Sequence, residues 1–335
     1  MKKIISIALT VLLITTALCG CGEKYDRENY VKGLEKYVDL VDLENIVVDT
    51  QSEEYKEMET NILNSDFNSY TYEVQDGKIE NGDIANINYA GKVDGVAFSG
   101  GTAENYDLEI GSGTFIEGFE SQLIGVEVGK TVDVNVTFPS DYGDSTDLET
   151  QTKTITLSGA KAVFTVKVNN ISRKFKEIND EFAKKAGFEN AEKYKEDLKE
   201  RTIKAFVYNE LITKSTIKEL PPDKEGNCYS YHKDYYTQYA SSYSMTFADL
   251  LSENGMTEDQ FKNEILKDEI ISYAVFDALK LTVTKEAFNE KVNALATDNS
   301  ATEAEVIEHY GKNFVEYILV YETIYDKLLE IAKVK

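Results

Sequence analysis

From Gly82 to Arg173 the chain sets a glycine at almost every bend and aromatic residues between the bends, in the runs GDIANINYAGKVDGVAFSGG, YDLEIGSGTFIEGFESQLIG and VTFPSDY. Ala85, Ile87 and Tyr89 alternate with Ile84, Asn86 and Asn88, the period of two of a half-buried strand, and Asp94-Gly95 is the turn chemistry of a tight hairpin. Tyr106, Leu108 and Ile110 alternate again before Gly111. Phe115-Ile116, Gly118-Phe119 and an apolar segment closing at Leu123-Ile124-Gly125 predict one or two turns of helix laid on the sheet. Val132, Val134, Val136 and Phe138 predict a further strand, stopped by Pro139 because proline lacks the N–H that a ladder needs. The stretch thus predicts a small sheet wrapped around an aromatic pocket.

At these residues the chain resembles the FKBP-type peptidyl-prolyl isomerases, and within them the isomerase domain of trigger factor. The matching segments are the INYAG strand, the VDGVAFSGG hairpin, the IGSGTFIEGFESQLIG loop and helix, VTFPSDY, and a closing strand AVFTVKVNNI. The resemblance implies an α+β fold: an FKBP-like antiparallel β-sheet wrapped on a short helix, followed by an all-α, trigger-factor-like chaperone domain. It implies isomerase activity without cofactor or metal, with Tyr89, Phe98, Tyr106, Phe115, Ile116, Phe119 and Phe164 lining the pocket. Phe119 stands where many members carry tryptophan, and the backbone N–H of Ile116 would donate to a substrate carbonyl. At the pocket rim Tyr142 matches the first tyrosine after the Phe-Pro turn, while the second tyrosine has no counterpart. Ser99 departs from the acidic residue common after the phenylalanine. The run DSTDLETQTKTITLSGAK is longer than the usual connection and is expected to form an extra hairpin over the rim. Taken singly, each aromatic reads first as ordinary core packing; their joint placement on different elements shifts the balance to the pocket.

The chemistry of the pocket needs no nucleophile. Rotation about an X-Pro amide is opposed by a barrier of roughly 18–20 kcal/mol from lost resonance, so a dry apolar seat for the proline ring and a few hydrogen bonds that favour the twisted amide suffice. Gly111-Ser112-Gly113 lacks the Lys-Ser/Thr ending of a phosphate-binding loop. His232 and His309 lie far apart without clustered cysteines, which makes a zinc site improbable and leaves each as a helix-surface or core residue. A formal charge of −24, from 60 acidic against 36 basic residues, argues against nucleic acid as a partner.

The first residues bear on location. Lys2 and Lys3 precede an apolar run from Ile4 to Leu18, too short to span a bilayer comfortably but of signal-peptide length. Leu18-Cys19-Gly20-Cys21 resembles a bacterial lipoprotein cleavage box with Cys21 as the lipid-carrying residue; an ordinary secretory signal or uncleaved anchor is the alternative. This reading places the protein on the extracytoplasmic face of the cell membrane, held by its lipid. Cys228 would then be the one cysteine left, so no intrachain disulfide is expected.

The expected organisation is a lipoprotein signal peptide (1–20), a tether and connector strand and helix (21–75), the isomerase domain (76–173) and a helical domain (174–335). In the connector, Tyr55, Met58 and Ile62 share a helix face. Downstream, Asn190, Thr257 with Gln260, Thr284, and Thr302 with Glu305 read as helix N-caps. The order and spacing of these helices resemble trigger factor's chaperone domain; a generic helical bundle is the alternative. The tyrosine-rich run CYSYHKDYYTQYASSYSMTF is expected to pack mostly between helices, with an exposed subset suited to unfolded clients. The reading that follows is a membrane-anchored, extracytoplasmic isomerase and folding chaperone for secreted proteins. Its partners would be unfolded or partly folded proline-containing polypeptides, with no ribosome. The alternative is a non-enzymatic holdase whose FKBP-like domain only binds peptide.

Overall fold

Asp94 and Gly95 take left-handed backbone (φ 50° and 82°), and this two-residue turn folds two long strands back on each other. The computed structural model describes residues 34–149, 153–219, 229–243 and 245–335. In chain order the first elements are β1 (Val38–Asp39), β2 (Val47–Val48), α1 (Glu53–Ser69), β3 (Thr71–Glu73), β4 (Ile84–Val93) and β5 (Val96–Glu109). There follow α2 (Phe119–Leu123), β6 (Thr131–Thr137), β7 (Ser145–Thr146), β8 (Thr154–Ile155), β9 (Lys161–Lys174), α3 (Asp180–Lys185) and α4 (Ala191–Lys214). The last are β10 (Thr216–Ile217), α5 (Tyr229–Ser242), α6 (Phe247–Glu253), α7 (Glu258–Ala278), α8 (Lys285–Asp298), α9 (Glu303–Tyr310), α10 (Lys312–Ile331) and β11 (Lys333–Val334).

These elements form two units, one of residues 60–198 and one of residues 1–59 with 199–335. The divisions fall inside α1 and α4, so α3 and the start of α4 pack with the sheet. The segment divisions expected at 75/76 and 173/174 follow the sheet motif, whereas these units follow packing.

In the first unit an antiparallel sheet runs β5-β4-β9, with β3 and β6 both pairing the far side of β9. On β4 the inward set is Ala85, Ile87, Tyr89, Gly91 and Val93, as the alternation predicts. On β5 the inward set changes phase twice: Phe98, then Gly101 and Ala103, then Tyr106 and Leu108. The changes occur where Gly100 (φ 81°) and Asn105 (φ 53°) turn left-handed. Phe119 and Leu123 of α2 are fully buried against this face. Gln122 clasps the outer edge of β6 with its amide, donating to the Asn135 carbonyl at 2.8 Å and accepting from the Asn135 N–H at 3.1 Å. Arg173 at the end of β9 grips buried Asp83 through Nε and Nη2 at 2.7 and 2.8 Å, fixing the entry to β4.

The second unit is helical, with two short strand pairs, β1 with β10 and β2 with β11. Thr246, Thr257 and Thr302 close capping boxes with Asp249, Gln260 and Glu305, and Thr284 caps α8. Buried residues run almost all round the second half of α7, from Glu269 to Phe276, as expected of a helix enclosed by others. On α5, Tyr229 and Tyr236 pack on Phe261, while Tyr239 and Tyr243, just past the helix end, are exposed with ring centroids 5.2 Å apart. His232 is buried beside Phe314, and desolvation lowers its pKa to about 4. No helix among the described residues is long and apolar enough to cross a membrane.

Candidate functional site

Tyr89, at the centre of β4, meets rings from four other places. Its ring lies 6.0 Å from Tyr106 on β5, 5.3 Å from Phe115 in the loop before α2, 6.3 Å from Phe119 on α2 and 6.1 Å from Phe164 on β9. Phe115 stacks at 4.5 Å on Phe119, which stands edge-on to Phe164 at 5.3 Å; Phe98 reaches Phe164 at 6.0 Å. All seven residues expected to line a pocket meet at one apolar cluster: Phe98, Phe119 and Phe164 are buried in it, and Tyr89, Tyr106, Phe115 and Ile116 pack against it. Phe98, Phe119 and Phe164 are fully buried, whereas Tyr89, Tyr106, Phe115 and Ile116 keep one side open. The arrangement is an apolar floor with a half-exposed aromatic mouth. Burial, then the phenols of Tyr106 and Tyr142, pushes the Tyr89 hydroxyl above its ordinary pKa, so it stays a neutral donor. Edge-to-face contacts like these each contribute about 0.5–1.5 kcal/mol beyond burial.

Two glycines make room for the floor. A Cβ on Gly91 would lie 2.4 Å from Cε1 of Phe164, and one on Gly101 2.7 Å from Cε2 of Phe98. Phe138 closes the far side, 5.7 Å from Phe98. The space that the two glycines leave escapes a motif reading, because a glycine in a strand looks only like a weak spot in the ladder.

Glu120 on α2 is the functional candidate that sequence reasoning missed. It is buried, and its carboxylate accepts from the N–H groups of Gly111 (2.7 Å), Gly113 (3.2 Å) and Phe115 (3.1 Å) and from the Ser112 hydroxyl (3.4 Å). Burial alone would raise its pKa, but the donors from Phe115, Gly113, Gly111 and Ser112 outweigh it and hold the carboxyl below its ordinary value. Among the described residues no acceptor meets the Ile116 N–H, while the Ile116 carbonyl accepts from Phe119 N–H at 3.0 Å.

The rim residues stand outside the rings that touch Tyr89, although the Tyr142 phenol is near enough to act on the Tyr89 hydroxyl. Tyr142 packs on Phe138 with ring centroids 4.7 Å apart and is 46% exposed. Ser99 is exposed, and its carbonyl accepts from the Ser145 hydroxyl at 2.7 Å. The long connection folds into the β7–β8 pair, docked on β5 by a Phe98–Asp147 bridge and by Leu148 N–H donating to Ala97 at 3.0 Å. Cys21, the leader before it and Cys228 lie outside the described residues.

A family profile described as FKBP-type peptidyl-prolyl cis-trans isomerase matches residues 75–169. Trigger factor 1 of Desulfitobacterium hafniense (strain Y51) is 34% identical over 242 residues, 67% of this chain and 54% of that protein. Trigger factor of Acetivibrio thermocellus is 31% identical over 290 residues, 80% of this chain and 65% of its own length. Trigger factor of Agrobacterium fabrum is 45% identical over 154 residues, 46% of this chain and 29% of its own. A solved structure of the trigger factor chaperone aligns over 88% of this chain and 72% of its own, at 15% identity and a TM-score of 0.32. The chain spans about half the length of the first curated relatives it matches. It carries an FKBP-type peptidyl-prolyl isomerase domain within a trigger-factor-like chaperone architecture, in a mixed α+β fold.

These relatives correct the expected location and partners. Trigger factors are cytoplasmic, ribosome-associated chaperones, which overturns the extracytoplasmic, lipid-anchored function, the signal-peptide and lipoprotein reading at Cys21, and the exclusion of the ribosome. The physical reasons are plain. A short apolar run specifies hydrophobicity and not an address, and a net charge summed over the whole chain does not fix the sign of a local docking patch.

Proposed function

We propose that this chain is a trigger-factor-like folding chaperone whose FKBP-type domain seats proline-containing segments of unfolded or partly folded polypeptides and speeds rotation about their X-Pro bonds. The observation that carries the proposal is the ring cluster: five aromatic side chains from β4, β5, the loop before α2, α2 itself and β9 converge, and three of them, Tyr89, Tyr106 and Phe115, stay half open at the mouth. A proline ring laid on that mouth leaves water behind, and in this reading the Ile116 N–H meets the carbonyl as the amide twists. The exposed Tyr239 and Tyr243 offer a second apolar contact for an unfolded client.

The test is cis-to-trans conversion of a proline tetrapeptide by the folded full chain. Acceleration is expected, with a loss of about tenfold or more in Phe115→Ala and Tyr89→Ala, each of which removes a mouth ring. No acceleration over the spontaneous rate would overturn the catalytic reading. Ser99 in place of a carboxylate, and Tyr142 turned onto Phe138, favour a second reading in which the domain holds peptide without catalysing. Aggregation suppression that survives both ring substitutions, with no isomerisation, would support it.

A further inference from the structure

Three left-handed glycines, Gly111 (φ 94°), Gly113 (φ 73°) and Gly118 (φ 86°), leave the loop before α2 free to take many shapes, yet this loop carries Phe115 and Ile116. From the way that loop is held, we propose that Glu120 is a positioning residue for peptidyl-prolyl isomerisation, acting through Phe115 and the Ile116 N–H. The inference rests on the isomerase reading of the aromatic site.

The geometry is selective. Glu120 Oε2 accepts from Gly111 and Gly113, and Oε1 from Phe115 and Ser112, so every second N–H from 111 to 115 turns inward to the carboxylate. The next N–H, that of Ile116, makes no bond to it and meets no acceptor among the described residues. Phe119 and Leu123, which flank Glu120 on α2, are fully buried, and Phe119 is the ring under Phe115. One short helix therefore anchors both the apolar floor and the loop above it. No lysine or arginine pairs with Glu120 among the described residues, although a carboxylate taken out of water without a cation is costly. Its compensation comes from the charge-assisted bonds that shape this loop. A substrate-facing donor misplaced by about 1 Å costs on the order of a hundredfold in rate, so a carboxylate that fixes the donor's place acts on the chemistry without touching substrate.

The experiment compares Glu120→Gln and Glu120→Ala with the unmodified full chain. It measures kcat and KM on a Leu-Pro tetrapeptide and amide hydrogen exchange at Gly111, Gly113, Phe115 and Ile116. The glutamine keeps shape but offers one acceptor oxygen, so kcat is expected to fall about tenfold. Alanine offers none and is expected to cost about a hundredfold, with KM within about twofold in both because the rings remain. Exchange at Gly111, Gly113 and Phe115 is expected to speed up in step. A merely structural role would lower the folded fraction and leave kcat per folded molecule unchanged, and that result in Glu120→Gln, the isosteric variant, would overturn the proposal even if the alanine variant fails to fold. If the unmodified chain itself does not accelerate the peptide, the isomerase reading fails and the positioning role falls with it.

Discussion

Gly91 offers the sharpest test of how the pocket floor is built. Its φ is not left-handed, so the backbone accepts any residue there, and only the Phe164 ring objects. A methyl group would stand 2.4 Å from Cε1 and 2.8 Å from both Cδ1 and Cζ of that ring. Phe164 cannot swing aside freely, because it is buried against Phe119, Phe98 and Tyr89. Overpacking of this kind costs about 1–3 kcal/mol, whereas replacing a strand glycine by alanine returns about 0.5–1 kcal/mol of chain entropy. Gly91→Ala is therefore expected to destabilise the sheet by about 1–2 kcal/mol and, by moving Phe164 out of its ring contacts, to slow proline-peptide turnover. Amide exchange at Val166 and Val168 on β9, read by mass spectrometry of the full chain, reports the local opening free energy. In a Phe164→Leu background the obstructing ring is gone, and the same alanine is expected to cost nothing or to stabilise. An equal cost in both backgrounds, or a neutral Gly91→Ala alone, would refute the reasoning.

Two further outcomes concern buried ionisable groups. Asp83→Ala strips Arg173 of two charge-assisted bonds and the Glu80 N–H of its acceptor, and is expected to cost about 2–4 kcal/mol, since the arginine is only 17% exposed; a change in the urea midpoint equivalent to under about 0.5 kcal/mol would contradict this. His232, with its pKa lowered from 6.5 to about 4 by burial, is neutral in the folded chain and protonates first when unfolded. Its contribution to stability is complete above pH 6.5 and is lost as pH falls toward 4, by up to about 3 kcal/mol. His232→Leu should flatten the urea midpoint across that window, and an unchanged slope would count against the assignment.

What could be read directly from the sequence was whatever depends on neighbours along the chain. The alternation in β4, the Asp94-Gly95 turn and the threonine caps of α7, α8 and α9 are local, and the structure keeps each of them. The aromatic set was legible through resemblance, because motif order ties Phe98 to Phe164 across a long separation that periodicity cannot bridge. Glu120 was not legible. Its partners are backbone N–H groups, which leave no trace in side-chain patterning, and a glutamate in a short helix looks like a solvated charge. Gly91 and Gly101 were hidden for a related reason: each makes space for a ring, and for Gly91 that ring arrives from another strand. The division inside α1 and α4 escaped because apolar periodicity runs through both helices without a break.

The departures at the rim, Ser99 and the missing second tyrosine, bear on rate less than they first suggest, once the loop before α2 is considered. Isomerisation requires stabilising a twisted amide relative to two planar ones, and each 1.4 kcal/mol gained there is a tenfold acceleration. A single well-placed donor that strengthens its bond in the twisted state supplies about 1–3 kcal/mol, and exclusion of water by half-open rings makes that bond stronger than it would be in solvent. Position 99 is exposed, so a carboxylate there would act on the amide from a solvated edge, where its bond is weaker. If the Ile116 N–H is that donor, the residue that matters most for turnover after the rings is the one that aims it. The relative effects of Glu120→Gln and Ser99→Asp on kcat then rank the two sources: a larger gain from restoring the rim carboxylate than loss from removing the buried one would place the polar chemistry at the rim instead.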